Sequence, residues 1–149
     1  MRHTVTRILP YTPRQLFDLV GDVERYPQFV PWVKRLRTWN RQAAGEVTTL
    51  DAEAEVGFSI VHERFSTKVK LDAPALAIDV DLISGPFRKL ENRWRFKEHL
   101  KGTELSFAID FDFKSRLLQA LLAANFHHAC NRLIACFEDR AAKLYGKAS

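Results

Sequence analysis

The acidic residues of this chain are the first candidates for acid–base chemistry. Most of them alternate with apolar residues in segments whose hydrophobic period is two, which is typical of half-buried β-strands. Alternation places these carboxylates on the face opposite to the apolar side chains, where water solvates them. We therefore expect three carboxylate pairs on the outer face of a sheet: Glu53 and Glu55, Asp79 and Asp81, and Asp110 and Asp112.

Glu63 is the exception to this pattern. If Val61 and Phe65 face inward, the same period of two takes Glu63 inward with them. An inward carboxylate with a raised pKa could act as the general base of a cyclase or hydrolase. It could equally pair with an arginine or contact the head group of a ligand, and a one-residue bulge would turn it out to water. The sequence leaves these alternatives open.

The histidines do not form a recognisable metal-binding pattern. His127 and His128 are adjacent in a predicted helix, so their side chains point about 100° apart, which suits two metal ligands poorly. His3, His62 and His99 have no partner at a ligand spacing. The sequence therefore predicts no metal site.

The two cysteines, Cys130 and Cys136, are six residues apart in the same predicted helix. That spacing separates them by about 9 Å, which is more than a disulfide can bridge. We expect free thiols and a reducing compartment. The sequence contains no nucleophile elbow, no CxxC pair and no phosphate-binding glycine loop. We therefore predict a protein without catalytic residues and without a cofactor.

The net charge of +5 is concentrated in two basic segments. The first contains Lys34, Arg35, Arg37 and Arg41, and the second contains Arg88, Lys89, Arg93, Arg95, Lys97 and Lys101. Such segments could attract the phosphates of nucleic acid or anionic lipid head groups, and the alternative is a solvated strand face. No apolar run approaches the ~20 residues of a membrane-spanning helix, and the N-terminus is too polar for a secretory signal. We expect a cytoplasmic protein.

The hydrophobic period shows which elements must position these residues. A strand is predicted at residues 3–9. Thr12 begins a helix and forms a capping box with Gln15. This helix ends at Gly21. Asp22 can cap a second short helix, which prolines interrupt. Six strands with short turns between them follow at residues 33–42, 46–58, 60–72, 75–83, 87–99 and 103–113.

After the strands the period returns to 3.6, and Ser115 caps a helix predicted to run to about Tyr145. Leu117 and Leu121 widen its apolar stripe, which consists of Leu118, Leu122, Phe126, Ala129, Leu133, Phe137, Ala141 and Leu144. This order of elements predicts an α+β fold and one domain, residues 1–149. A seven-stranded curved antiparallel sheet should wrap around the long C-terminal helix.

Small and large side chains meet in the predicted interior. Ala52 and Ala54 face inward with little volume, whereas the last strand and the helix are rich in phenylalanine. We expect an apolar space between sheet and helix. Tyr26, Phe29 and Trp32 lie on a short segment interrupted by prolines, and such segments move more easily than sheet strands. We predict that these three residues form the mouth of the space.

Three segments resemble a known family. Residues 22–32, DVERYPQFVPW, are similar to the "DVxxYPxFxPW" segment of the coenzyme Q-binding proteins in the polyketide cyclase/dehydrase group of the START-like, helix-grip superfamily. Residues 85–96, GPFRKLENRWRF, are similar to the "GPFxxLxxxWxF" strand of that family. Residues 111–113, FDF, agree with a third block, so the resemblance covers essentially the whole chain.

The resemblance implies a protein that binds ubiquinone or a similar isoprenoid quinone and supports respiratory electron transfer without catalysing a reaction. A related group in the same family consists of ribosome-association toxins, which implies a ribosomal subunit as the alternative partner. DNA is not expected as a partner, and anionic membrane is expected to be contacted peripherally, at the inner membrane surface. The predicted ligand-binding residues are Tyr26, Phe29, Trp32, Ala52, Ala54, Glu63, Phe65, Phe87, Leu90, Trp94, Phe96, Phe107, Leu118, Leu122 and Phe126.

Overall fold

A computed structural model describes residues 1–58 and 61–146 of the chain. Its strands are β1 (Arg2–Leu9), β2 (Val33–Ala44), β3 (Val47–Phe58), β4 (Val61–Asp72), β5 (Ala77–Ser84), β6 (Phe87–His99) and β7 (Gly102–Phe113). Its helices are α1 (Pro13–Gly21), a 3₁₀ helix (Val23–Gln28), α2 (Arg116–Ala123) and α3 (Phe126–Tyr145).

The strands form one antiparallel sheet in the order β1-β7-β6-β5-β4-β3-β2. Consecutive strands from β2 to β7 are neighbours, and β1 lies at one edge of the sheet beside β7. Strand β2 lies at the opposite edge. The predicted fold class, a curved seven-stranded antiparallel sheet with C-terminal helical cover, is confirmed.

Thr12 and Ser115 cap their helices as the sequence predicts. The Thr12 hydroxyl accepts from the Gln15 backbone N–H at 3.1 Å, and the Gln15 side chain accepts from the Thr12 N–H at 2.9 Å. The Ser115 hydroxyl accepts from the Leu118 N–H at 3.3 Å. The prediction for Asp22 is wrong, because its side chain makes no capping hydrogen bond and the following segment is a 3₁₀ helix with Pro27 inside it.

One predicted strand boundary differs from the structure, and another lies outside the described residues. The fifth predicted strand begins at residue 75, but β5 begins at Ala77 because Leu76 has a left-handed backbone conformation (φ 50°) in the turn before it. The turn predicted around Phe58–Ser59, and the predicted strand start at residue 60, fall on residues 59 and 60, which lie outside the described residues.

The predicted continuous C-terminal helix is wrong, because it is two helices that meet at Ala124 and Asn125. Asn125 leaves the helical conformation (φ −124°, ψ 14°), in keeping with the low helix propensity of asparagine. Beyond the break, Cys130 and Ile134 are buried where the continuous stripe had placed Ala129 and Leu133, a shift of one residue. At the far end of the stripe, Leu144 is 50% exposed.

The buried apolar side chains form two clusters on the face of the sheet that the helices cover. The larger cluster packs β1 and the strands from β3 to β7 against α1 and α3, and Phe107, Ile134 and Phe137 are fully buried within it. The smaller cluster consists of Phe87, Leu90, Phe111 and Phe113 and lies beside α2. Within the described residues, no helix is both long and apolar enough to span a membrane.

Candidate functional site

A cavity of about 240 Å³ lies between the smaller cluster, the start of β4 and the junction of α2 with α3. We call it the apolar cavity. Its lining residues are Trp32, Val56, Val61, Glu63, Phe65, Phe87, Leu90, Ile109, Phe111, Phe113, Leu122, Phe126 and Ala129. Apart from Glu63 and the indole N–H of Trp32, the lining side chains are entirely hydrocarbon.

Strand periodicity places most of this lining. In β7, Ile109, Phe111 and Phe113 are two residues apart and therefore share one face. Phe87 and Leu90 are three residues apart in β6, which would normally put them on opposite faces. The pairing of β6 with β7 shifts register between Phe87 and Lys89, and this irregularity brings both apolar side chains to the cavity.

The phenylalanines of the cavity wall support each other through ring contacts. Phe87 stacks on Phe113 with ring centroids 4.7 Å apart, and Phe65 meets Phe87 edge-on at 5.3 Å. Phe126 closes the α3 side by packing edge-on against Phe111 at 4.6 Å. A Cβ at Gly85 would lie 2.5 Å from the Cβ of Phe65, so only glycine permits this approach.

Glu63 faces the apolar cavity from the start of β4. The pairing of β3 with β4 is in register along its whole length, so no bulge turns Glu63 outward. Val33, Val56 and Glu63 form a row across three strands, and Trp32 precedes that row. Within the described residues, Glu63 makes no ion pair and no hydrogen bond. The side chain is half-buried, so its carboxylate remains accessible from the cavity.

The predicted ligand-binding residues divide between the cavity and the core. Those that line the apolar cavity are Trp32, Glu63, Phe65, Phe87, Leu90, Leu122 and Phe126. Trp94, Phe96 and Phe107 instead belong to the larger cluster, where they are at most 3% exposed. Ala52 is buried in that cluster, and Leu118 packs against the smaller one. Ala54 is half-buried between Leu36 and Phe65 in the sheet register.

The three residues of the predicted mouth have different surroundings, and only Trp32 lines the cavity. The Tyr26 hydroxyl donates a hydrogen bond to the Val20 carbonyl. The rings of Tyr26 and Phe29 pack edge-on against Phe137 at 5.3 and 5.2 Å. Burial, assisted by the charge of Asp22, raises the pKa of Tyr26 far above its ordinary value, so the phenol remains a donor.

Several lining residues are absent from the predicted set, namely Val56, Val61, Ile109, Phe111, Phe113 and Ala129. The alternation of β7 already places Phe111 and Phe113 on the inward face, so the signal for them was present in the sequence. Ala129 lies on the predicted apolar stripe of the C-terminal helix, but its small side chain alone does not indicate that it borders a cavity.

His3 and His127, which are 124 positions apart in the sequence, are brought together by the fold. Their rings meet edge-on with centroids 4.2 Å apart, and their Nδ1 atoms are in contact. The ring of His3 also lies against Phe126 of the cavity wall. Burial, and then the neighbouring His127, lowers the pKa of His3. Within the described residues, no three His, Cys, Asp or Glu side chains are grouped as metal ligands.

The cysteines are free, as predicted. Cys130 is buried in the larger cluster, and burial raises its pKa to about 12. The pKa of Cys136 is raised as well, chiefly by burial. Both side chains are therefore thiols rather than thiolates at neutral pH.

The outward face of the sheet is an array of ion pairs. Lys89 contacts Asp110 at 2.8 Å, and Arg93 and Arg95 contact Asp81 and Asp79 at the same distance. The hydrogen bond from Lys89 is the largest cause of the lowered pKa of Asp110. Three of the six cations of the second basic segment, Lys89, Arg93 and Arg95, are therefore paired with the predicted carboxylates.

The first basic segment lies on the edge strand β2. Arg37 pairs with Glu53 at 3.1 Å, and Arg41 approaches Glu24 at 4.0 Å. Lys34 and Arg35 are exposed and make no ion pair with any residue that the structure describes. These two cations leave uncompensated positive charge on the edge strand.

Helix α2 exposes apolar side chains on its outer side. Leu117 is 70% exposed and Leu121 is 46% exposed, so the predicted widening of a buried stripe by these two residues is wrong. Leu122, on the inner side, lines the cavity. None of the residues of α2 is buried, and Lys114 and Arg116 are exposed at its start. We call Leu117 and Leu121 with these two cations the α2 surface.

An antiparallel sheet whose covering helices leave an apolar cavity defines the START-like, helix-grip class of proteins. Residues 9–138 match the family described as "Polyketide cyclase / dehydrase and lipid transport", and the chain belongs to that family. The family includes cyclases as well as lipid carriers, so membership alone does not decide between binding and catalysis.

Three individual proteins illustrate how this family varies. The chain is 38% identical to the ribosome association toxin RatA of Rickettsia prowazekii, over 91% of this chain and 92% of that protein. It is 31% identical to the mitochondrial coenzyme Q-binding protein COQ10 homolog B of Xenopus laevis, over 99% of this chain but 60% of that protein. An 18 kDa protein of Caulobacter crescentus, known from a solution structure, is 55% identical with a TM-score of 0.85, over 99% of both chains.

Proposed function

We propose that the chain binds an isoprenoid quinone, such as ubiquinone, in the apolar cavity and supports respiratory electron transfer as a carrier. The observation behind this proposal is the cavity itself. Protein interiors are normally close-packed, so an unfilled hydrocarbon-lined space of about 240 Å³ suggests a ligand. The similarity to a coenzyme Q-binding protein supports a quinone as that ligand.

The volume of the cavity limits which part of such a ligand it holds. A cavity of about 150 Å³ is enough for benzene, so the 240 Å³ here accommodates a substituted ring and little more. The isoprenoid tail would extend through the opening. Each methylene of the tail gains about 0.8 kcal/mol on leaving water but almost nothing on leaving a bilayer. A quinone could therefore exchange between this site and a membrane without being trapped.

The carrier role, rather than catalysis, is supported by the chemistry of the lining. Glu63 is the only titratable side chain among the described residues of the cavity wall. Cyclisation of a polyketide requires groups that converge on the substrate to move protons, and a single carboxylate provides only one such group. We propose a protein without catalytic residues and without a cofactor, for which the quinone is cargo.

Filling the cavity tests the proposal. Ala129 lines the cavity from α3, whereas Ala135 is exposed on the same helix. Ala129→Phe should remove quinone that co-purifies with the protein, as measured by lipid extraction and native mass spectrometry, and Ala135→Phe should retain it. If the native protein carries no quinone and binds none in titration, the proposal is wrong.

A second candidate function is association with a ribosomal subunit. The identity of 38% to a ribosome association toxin favours it, as does the uncompensated charge of Lys34 and Arg35 on the edge strand. Reversing both charges should abolish co-sedimentation with ribosomal subunits and leave quinone binding unchanged. The matched control reverses Lys97 and Lys101, which are exposed at the end of β6 and in the turn after it. Absence of co-sedimentation by the native protein at low salt would exclude this function.

We also propose that the α2 surface contacts anionic membrane, with the protein acting from the cytoplasm at the inner membrane surface. Exposed leucines flanked by Lys114 and Arg116 match a bilayer whose head groups are negative. Leu117→Glu with Leu121→Glu should prevent flotation with phosphatidylglycerol vesicles. Leu100→Glu, at a fully exposed leucine elsewhere, should not. Equal flotation of all three proteins would contradict the proposal.

A further inference from the structure

Glu63 introduces a hydrogen-bonding requirement into an otherwise hydrocarbon cavity. Its carboxylate faces the cavity, is half-buried, and makes no hydrogen bond or ion pair within the described residues. The neighbouring outward residues of β4, His62 and Arg64, are on the opposite face of the strand and are exposed. Arg64 pairs with Glu53 and Glu55 on that outer face.

An ionised carboxylate accepts hydrogen bonds and donates none. A ligand that fills the cavity displaces water from this group, and a buried charge without a hydrogen bond is strongly unfavourable. A ligand that supplies a donor to the Glu63 carboxylate therefore binds more favourably than one that supplies only acceptors. The carbonyl oxygens of an oxidised quinone are acceptors, so they would make no hydrogen bond to the carboxylate and their lone pairs would repel it. The hydroxyls of a hydroquinone are donors and can hydrogen-bond to it.

We propose that Glu63 makes the apolar cavity selective for the reduced, hydroquinone form of its ring ligand over the oxidised form. The inference rests on the proposed function, because it takes a quinone as the ligand class. A charge-assisted O–H···O⁻ bond is stronger than a neutral one, and we expect about tenfold tighter binding of the hydroquinone. By linkage, a tenfold preference raises the two-electron midpoint potential of the bound quinone by about 30 mV.

The position of Glu63 indicates where the hydroxyl would lie. The row of Val33, Val56 and Glu63 runs across β2, β3 and β4, directly after Trp32. A ring held between Trp32 and the phenylalanines of β6 and β7 would present one oxygen to this row. Apart from the indole of Trp32, the remainder of the wall is hydrocarbon and gains similar contact energy from either redox form. The preference therefore depends on Glu63.

The test measures both forms of one ligand on matched proteins. A decyl-substituted ubiquinone analogue is titrated under anaerobic conditions in its oxidised form and after chemical reduction, with tryptophan fluorescence or equilibrium dialysis as the readout. The native protein should bind the reduced form about tenfold more tightly. Glu63→Gln should bind both forms within about twofold, because an amide both donates and accepts. Glu55→Gln, on the outer face of β3, should behave like the native protein.

The outcomes separate the inference from the proposed function. Equal affinity of the native protein for both forms overturns the inference and leaves quinone binding intact. A preference that persists in Glu63→Gln shows that another group reads the redox state, and it overturns the role of Glu63. Failure of the native protein to bind either form overturns the proposed function together with the inference. Thermal unfolding of each variant, and a second variant, Glu63→Met, verify that a changed preference does not come from misfolding.

Discussion

The face of the sheet covered by the helices has aromatic side chains in two regions that are closed in different ways. Under α3, Phe107 and Phe137 are each 2% exposed and Ile134 is completely buried. Beside α2, a comparable density of phenylalanines surrounds a cavity of about 240 Å³. The hydrophobic composition of the two regions is similar, so composition alone does not determine whether an interior is filled.

The helices explain the difference. Helix α3 inserts Ile134 and Phe137 into the larger cluster, and Phe137 contacts the rings of Tyr26, Phe29 and Trp94. At the junction, by contrast, α3 presents the small Ala129, and none of the residues of α2 is buried. The break at Asn125 lets the two helices cover the sheet with different side-chain volumes. The packed region provides stability, and the open region remains available for a ligand.

Truncating one ring in each region should give the largest difference in stability between the two regions. Phe137→Ala should lower the free energy of unfolding by about 3–5 kcal/mol, because it opens a cavity in a closely packed cluster. Phe65→Ala should lower it by about half as much, because Phe65 already borders an unfilled space and has fewer contacts to lose. Denaturant unfolding of both variants measures the difference. Equal losses would show that the cavity wall is packed like the core.

Trp32 lines the open region, so its truncation affects ligand binding and packing to different degrees. Trp32→Ala should weaken quinone affinity by more than tenfold. It should lower the free energy of unfolding by less than a fully buried ring would, for which about 3–5 kcal/mol is expected. Part of its contact area would be shared with the ligand rather than with the core. A quinone titration and denaturant unfolding on the same variant decide the matter. Unchanged affinity would remove Trp32 from the mouth, and Trp39→Ala, at an exposed tryptophan of β2, is the matched control.

Tyr26 tests whether the packed region also contributes to binding. Tyr26→Phe removes the hydrogen bond to the Val20 carbonyl and should lower the free energy of unfolding by about 1 kcal/mol. Quinone affinity should remain unchanged, because the Tyr26 ring packs on Phe137 and not on the cavity. A clear loss of affinity without a loss of stability would return Tyr26 to the predicted mouth.

The smallest expected effect is a pH dependence at the boundary of the two regions, where His3 meets His127 and Phe126. The pKa of His3 is lowered in the folded chain, so the unfolded chain binds more protons as the pH falls. The stabilising contribution is therefore present above the ordinary histidine pKa of about 6.5 and decreases as the pH falls below it. His3→Gln should flatten this decrease in urea unfolding at about pH 7.5 and pH 5.5. The exposed His99→Gln should not, and an unchanged slope in His3→Gln would contradict the assignment.

The sequence predicts the elements better than their junctions. Strict alternation in β7 and the capping residues Thr12 and Ser115 are local signals, and each has the predicted structural effect. The break at Asn125 has no comparable signal, because neither proline nor glycine marks it. The predicted C-terminal stripe therefore runs through the break, and it places Ala129 and Leu133 where Cys130 and Ile134 are buried.

The candidate site was predicted in part for the same reason. Period two places Glu63 and Phe65 on one face of β4, and the structure has both at the cavity. The register shift between Phe87 and Lys89 and the contact between His3 and His127 depend on pairing between distant segments. Trp94 and Phe107 face inward as well, but they lie under α3 and not at the cavity. Inward orientation can be read from the local sequence, whereas position beneath a particular helix cannot.

The edge strand β2 has a further consequence for how this sheet avoids recruiting other chains. An exposed edge offers unpaired backbone groups to which a foreign strand can add, and that addition is the first step of aggregation. On β2, two register irregularities and the left-handed Asn40 (φ 56°) disrupt the regular hydrogen-bonding ladder, and Lys34 and Arg35 add repulsive charge. The basic edge can therefore be maintained by selection against misassembly alone, whether or not a ribosome ever contacts it.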